Sequence, residues 1–137
     1  MPDIECSILP PDCLPLLDKF YREHRSSMRA SSSAQAWIAK QQEILGALSL
    51  TPVAGGHWLT GLFVAPQSRS QGIASQLMDH ALRPLTEPVW LFCHPDLQGF
   101  YEDSGFNPAG ALPQSLGEKL MRYGRNKTLV ALVRDGD

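Results

Sequence analysis

One stretch limits the folding options of this chain more than any other. It is an apolar run, then a polar turn with one glycine, then an amphipathic run halted by proline. Leu59-Thr60-Gly61-Leu62-Phe63 reads as a strand, Val64 to Ala74 contains the turn, and Ser75 to Arg83 reads as a helix. Ile73, Leu77 and Ala81 recur at four-residue spacing, with Ala74, Met78 and Leu82 on the neighbouring stripe. Pro84 ends the helix. A strand, a turn and a helix start in this order leave several backbone N–H groups unpaired around one point. The helix dipole makes that point positive, so an anion, particularly a phosphate, is favoured there. Gly72 lets a bulky phosphate approach the main chain, Arg69 offers a cation, and Ala74 keeps the first helical turn slim.

The kind of phosphate is narrowed by what the turn lacks. It ends Gly72-Ile73-Ala74 rather than Gly-Lys-Ser/Thr, which argues against nucleotide hydrolysis. One glycine instead of three argues against a dinucleotide fold. The bland reading is an ordinary strand–turn–helix with a solvated arginine. Arg69-x-x-Gly72-x-Ala74, behind Leu62-x-Val64-x-Pro66, resembles the Arg/Gln-x-x-Gly-x-Gly/Ala signature of the GNAT (GCN5-related) N-acetyltransferase superfamily. A second segment, His94 to Phe106, resembles that family's Asn-x-x-Ala-x-x-x-Tyr-x-x-x-Gly-Phe, with Tyr101 and Gly105-Phe106 in register. His94 and Leu97 depart from the usual Asn and Ala. The two segments span Leu59 to Phe106, about a third of the chain.

The resemblance implies a single-domain α/β (α+β) fold over residues 1–137. Its central sheet is mixed, mostly antiparallel and twisted, with helices on both faces and two parallel strands that splay apart. It implies acetyl-CoA as co-substrate. Leu62, Phe63 and Val64 would run beside the pantetheine arm, and Arg69, Ser70, Gln71, Gly72, Ile73 and Ala74 would hold the pyrophosphate. His94 would be a pantetheine neighbour. Tyr101 is the candidate acid for the leaving thiolate, since a phenol is protonated at neutral pH; its bland reading is a packed ring with its hydroxyl in water. Relatives carry a glutamate on strand four, and His57 to Leu62 has none. His57, His94 and water remain open as the base. Adjacent strand residues point to opposite faces, which argues against a Cys93–His94 nucleophilic pair. His24 and His80 read as surface residues.

The implied activity is acetyl transfer to the primary amine of a small molecule or peptide. The alternative is a regulatory module that binds acyl-CoA without turnover. Composition excludes other classes. Twelve basic and fourteen acidic residues give a net charge of −2, the wrong balance for a nucleic-acid binder. No apolar run approaches a membrane span, and Met1-Pro2-Asp3-Ile4-Glu5 lacks a leader's basic start, so a cytoplasmic monomer or homodimer is expected. Cys6, Cys13 and Cys93 include no C-x-x-C pair, so buried reduced thiols and no metal are expected.

The remaining elements are read from periodicity. Ile4 to Leu9 is a strand, and Asp12 caps a helix with Cys13, Leu16, Leu17, Phe20 and Tyr21 on one stripe. Arg25 to Ser33 is a serine-rich loop of the kind that borders the acceptor site in this family. Its Arg25 and Arg29 hint at an anionic substrate, against the plainer reading of a solvated loop. Ala34–Lys40 and Glu43–Val53 form a hairpin joined by Gln41-Gln42, with a bulge near Gly46. His57–Val64 is the central strand. Val89 to Cys93 is a continuous apolar run, as expected of a parallel strand covered on both faces. A helix over Leu97–Asp103 starts behind Asp96. Residues 114–123 have helical spacing where relatives carry strand six, which leaves helix and strand both open. Thr128–Val133 is the closing strand.

Overall fold

The computed structural model describes residues 4–136. Its strands are β1 (Glu5–Ile8), β2 (Gln35–Lys40), β3 (Ile44–Val53), β4 (Gly56–Val64), β5 (Val89–Cys93), β6 (Asn107–Pro108) and β7 (Val130–Arg134). Its helices are α1 (Leu14–Glu23), α2 (Ile73–Leu82), α3 (Gln98–Glu102) and α4 (Gln114–Tyr123). The strands form one mixed sheet in the order β1-β2-β3-β4-β5-β7-β6. β1–β2, β2–β3, β5–β7 and β6–β7 are antiparallel, while β4 and β5 are parallel. This is the α/β architecture that the resemblance implied. The parallel ladder holds two pairs, His57–Val89 and Trp58–Trp90, both at the start of the strands.

Two compact units divide the chain. One comprises the residues up to Thr51 together with Leu59–Pro84, the other Pro52–Trp58 and everything from Leu85 onward. In the first unit, Leu17, Phe20 and Tyr21 of α1 pack with Leu9, Ala36, Ile38, Ala47 and Ala65. Each of the large side chains, Leu9, Leu17, Phe20 and Ile38, contributes about 1.5–3 kcal/mol on leaving water. Leu16 is half-exposed, so it lies off the buried stripe to which its spacing assigned it. Helix α2 buries Ile73, Leu77, Met78, Ala81 and Leu82 and stops one residue before Arg83-Pro84, as its pattern required.

Several local expectations change. Asp12 lies inside a short 3-10 turn, Pro11–Cys13, and Cys13 precedes α1 without a side-chain cap. Proline in the first turn of each segment removes one of the orphan N–H groups that a cap would satisfy. The β2–β3 connection is three residues, Gln41 to Glu43, rather than two. The bulge does fall beside Gly46: Ala39 pairs with Gly46 and Lys40 with Ile44, so Leu45 is the extra residue. Residues 114–123 are helical, and the short strand preceding β7 is Asn107–Pro108. Only Cys93 of the three thiols is buried; Cys6 and Cys13 are half-exposed. His24 is partly covered, its ring edge-on to Phe20 at 5.0 Å, whereas His80 is exposed. Among the described residues no helix is long and apolar enough to cross a membrane.

Candidate active site

The turn between β4 and α2 is built by a specific backbone sequence. Ala65 N–H donates to Leu45 O at 2.8 Å, anchoring the end of β4 to the bulge in β3. Gly46 permits that approach, because a Cβ there would sit 3.3 Å from both Phe63 O and Val64 Cγ2. Pro66–Ser68 forms a 3-10 turn, Arg69 is extended, and Ser70 (φ +65°) and Gly72 (φ +77°) are both left-handed. Left-handed residues alternating with ordinary ones gather backbone N–H groups into an anion-binding concavity. Gly72 is the N-cap of α2, and no side chain caps the helix. The first-turn N–H groups are therefore left for water or a ligand. Ser70, Gln71 and Gly72 are exposed, Ala74 is half-buried and Ile73 is buried. A Cβ on Gly72 would meet nothing within 4 Å, so its backbone angle, rather than crowding within the chain, calls for glycine.

The Arg69 side chain is held by the end of β4. Its Nε donates to Val64 O at 2.9 Å and its guanidinium lies 5.2 Å from the Phe63 ring centroid. The side chain thus braces the turn against the end of β4. Leu62 and Phe63 are half-buried and Val64 is buried.

A second brace escaped the sequence reading. Gly61 is left-handed (φ +67°) inside β4, and Tyr21 Oη donates to its carbonyl at 2.9 Å. A left-handed residue kinks a strand and turns its next peptide out of regular register. Burial, and secondarily the negative charge of Asp18, raises the Tyr21 pKa well above its ordinary value, so the hydroxyl stays a donor. Two signals were available. A tyrosine on a buried stripe needs a partner for its hydroxyl, and an isolated glycine in a strand marks an irregularity.

In the second unit, Tyr101 lies on α3 and is 9% exposed. Its ring is edge-on to Phe100 at 5.1 Å and to Phe106 at 5.9 Å. Gly105 (φ +93°) ends the helix, and Phe106 N–H returns to Tyr101 O at 3.2 Å, which brings the fully buried Phe106 beneath the tyrosine. Burial pushes the phenol up to about 12, with a smaller contribution from Cys93.

His94, not Asp96, caps the turn that leads into α3: its Nδ1 accepts from Asp96 N–H at 3.1 Å. The ring nitrogen accepts this bond with its in-plane lone pair, which orients the exposed imidazole over the start of the turn. Cys93 is buried while His94 is exposed, consistent with opposite faces, and burial raises the thiol's pKa. His57 Nε2 is buried without a hydrogen bond, 3.5 Å from Glu87 Oε1. Among the described residues, no three His, Cys, Asp or Glu side chains are grouped as metal ligands.

Residues 32–108, more than half of the chain, match the acetyltransferase (GNAT) domain family. Among solved structures, N-acetylglutamate synthase from Neisseria gonorrhoeae, complexed with coenzyme A and N-acetyl-glutamate, superposes with a TM-score of 0.74 at 17% identity. That match covers 100% of this chain but 36% of the synthase. Escherichia coli ElaA gives 0.69 at 17% identity, covering 96% and 99% of the two chains. The ribosomal-protein-S18-alanine N-acetyltransferase from Escherichia coli gives 0.71 at 16% identity, covering 96% and 93%. No curated protein matches the sequence.

Proposed function

Because this chain belongs to the GNAT acetyltransferase family, we propose that it moves an acetyl group from acetyl-CoA to a primary amine of a small molecule or peptide. The observation that carries this reading is the turn at the start of α2. Its helix is uncapped and two of its residues, Ser70 and Gly72, are left-handed, which suits a pyrophosphate held mainly by main-chain N–H groups. The residues proposed to hold it are Arg69, Ser70, Gln71, Gly72, Ile73 and Ala74. Leu62, Phe63 and Val64 are proposed to run beside the pantetheine arm as an added strand would, with His94 as a further neighbour. Acetyl-CoA would supply the acyl group, activated as a thioester, and free coenzyme A would leave as the thiol.

Tyr101 is proposed as the group that meets the departing sulfur. A phenol near 12 is a weak donor to an ordinary thiolate, whose acid has a pKa of about 8.5. Its contribution is a hydrogen bond that strengthens as charge develops, more than a completed transfer in the resting site. The amine's proton is left to His57, His94 or solvent. We propose a monomer or homodimer for the working state.

A second reading keeps acyl-CoA binding without turnover. It is favoured by the absence of a carboxylate between Gly56 and Val64. One experiment separates them. Polyamines, amino acids, aminoglycosides and peptides are offered with acetyl-CoA, and free thiol is measured. Thiol release that depends on an amine supports the enzyme. Binding of acetyl-CoA with no release across the whole set supports the module.

A further inference from the structure

We infer that the cavity at the C-terminal end of α1 is a binding site for a small anion, a carboxylate or phosphate carried on a small molecule. The cavity is about 480 Å³, within the range of small-molecule sites, and its lining includes Asp18, Arg22, Ser26, Ser27 and Arg29. It lies wholly within the first unit.

The site is built by the chain folding back on its own helix. Asp18 and Arg22 stand one turn apart on α1. After the helix, Ser26 N–H donates to Tyr21 O at 2.9 Å, and Arg25 takes a left-handed conformation (φ +58°). Asp18 Oδ1 then accepts from Ala30 N–H at 2.8 Å, and Ser26 Oγ accepts from Met28 N–H at 3.2 Å. These bonds carry Arg29 back to the cavity that Arg22 also lines. The sequence reading joined Arg25 with Arg29; Arg25 is absent from the lining and Arg22 takes its place.

Two arginines and one aspartate line the cavity, and part of that carboxylate's capacity is taken by the Ala30 N–H. Among the described residues neither Arg22 nor Arg29 has a carboxylate within ion-pair distance, whereas the neighbouring Lys19 pairs with Glu23 at 3.7 Å. Guanidinium forks and serine hydroxyls form a donor set suited to carboxylate or phosphate oxygens.

Two sources share this chemistry: an acidic group on the amine acceptor, or a separate anionic effector. The first rests on the acyl-transfer reading; anion binding itself does not. Succinate and inorganic phosphate are titrated against the whole chain in thermal melts, with sodium chloride at matched ionic strength. Both are expected to raise the melting temperature beyond the chloride control. The Arg22→Gln, Arg29→Gln double variant should bind at least about tenfold more weakly, while its response to CoA stays intact. Asp18→Asn retains the oxygen that accepts from Ala30 and removes the negative charge, so it should bind a few-fold more tightly. Equal shifts in wild type and double variant, or none above chloride, overturn the site. With turnover in hand, a raised KM for acidic amines alone in the double variant identifies the acceptor. A non-competitive effect of succinate on a neutral amine identifies an effector.

Discussion

Tyr101 shows how one environment sets two measurable properties. Its ring is wedged against Phe100 and Phe106, and burial, with a smaller share from Cys93, raises its phenol to about 12. For the proposed acid, Tyr101→Phe keeps the ring packing and deletes the donor. Acetyl-CoA affinity by calorimetry should hold while turnover by thiol release drops roughly 10²-fold, the pattern of a lost transition-state interaction. A Phe variant with wild-type turnover, chemistry being rate-limiting, would leave Tyr101 a packing residue. The same pKa predicts alkaline behaviour. Below pH 10 the phenol is neutral in folded and unfolded chains and adds no pH dependence. Between about pH 10 and 12 the unfolded chain ionises it first, so its contribution to stability is lost as pH rises, by roughly 3 kcal/mol over the window. Urea unfolding at pH 9 and 11 should therefore show a smaller fall for Tyr101→Phe than for wild type. Equal falls would contradict the buried phenol.

Strand β4 and helix α2 carry their predictions on two glycines. At Gly61 an added Cβ would lie 3.0 Å from Tyr21 Oη and the backbone is left-handed (φ +67°). Left-handed strain on a residue with a Cβ costs about 1–2 kcal/mol. Displacing the hydroxyl leaves a Gly61 carbonyl underbonded, at about 1 kcal/mol more. Gly61→Ala should thus lose roughly 2–3 kcal/mol in chemical denaturation, and the cost should be smaller in a Tyr21→Phe background, where the clashing oxygen is gone. Strictly additive losses would mean the two residues are uncoupled. Gly72 is the opposite case. The added Cβ would meet nothing within 4 Å, and aspartate is among the residues that enter the left-handed region at modest cost. Gly72→Asp is therefore expected to fold, losing about 1 kcal/mol to the backbone angle. It would put a negative charge where the pyrophosphate is proposed, and the melting shift produced by CoA should vanish. A retained shift would move the phosphate site elsewhere.

For the molecule as a whole, the proposed co-substrate is itself a stability probe. A ligand that binds only the folded chain at a hundred times its Kd adds about 2.7 kcal/mol. For a chain of 137 residues that corresponds to a rise in Tm on the order of 10 °C. A melting curve unmoved by millimolar CoA or acetyl-CoA would end the cofactor assignment, whatever the outcome of the anion titrations at the end of α1.

The sequence by itself determined those features that depend on a few neighbouring residues. Apolar spacing set the buried stripe of α2, because periodicity acts within one or two turns, but it left 114–123 open between helix and strand until the structure showed a helix. Gly72 and Gly105 could be read as turn points because φ is a property of single residues. The continuous apolar run at 89–93 marked a strand covered on both faces, and Val89, Trp90, Leu91 and Cys93 of β5 are buried. Tertiary structure alone decided what each polar group meets. Tyr21 finds the Gly61 carbonyl 40 residues away, Arg69 turns back on Val64, and His94 accepts from Asp96 N–H. Arg22 and Arg29 come to one cavity because Asp18 catches the Ala30 N–H. Hydrogen bonds and charges act over a few ångströms, so their partners are known only once the chain has brought distant segments together.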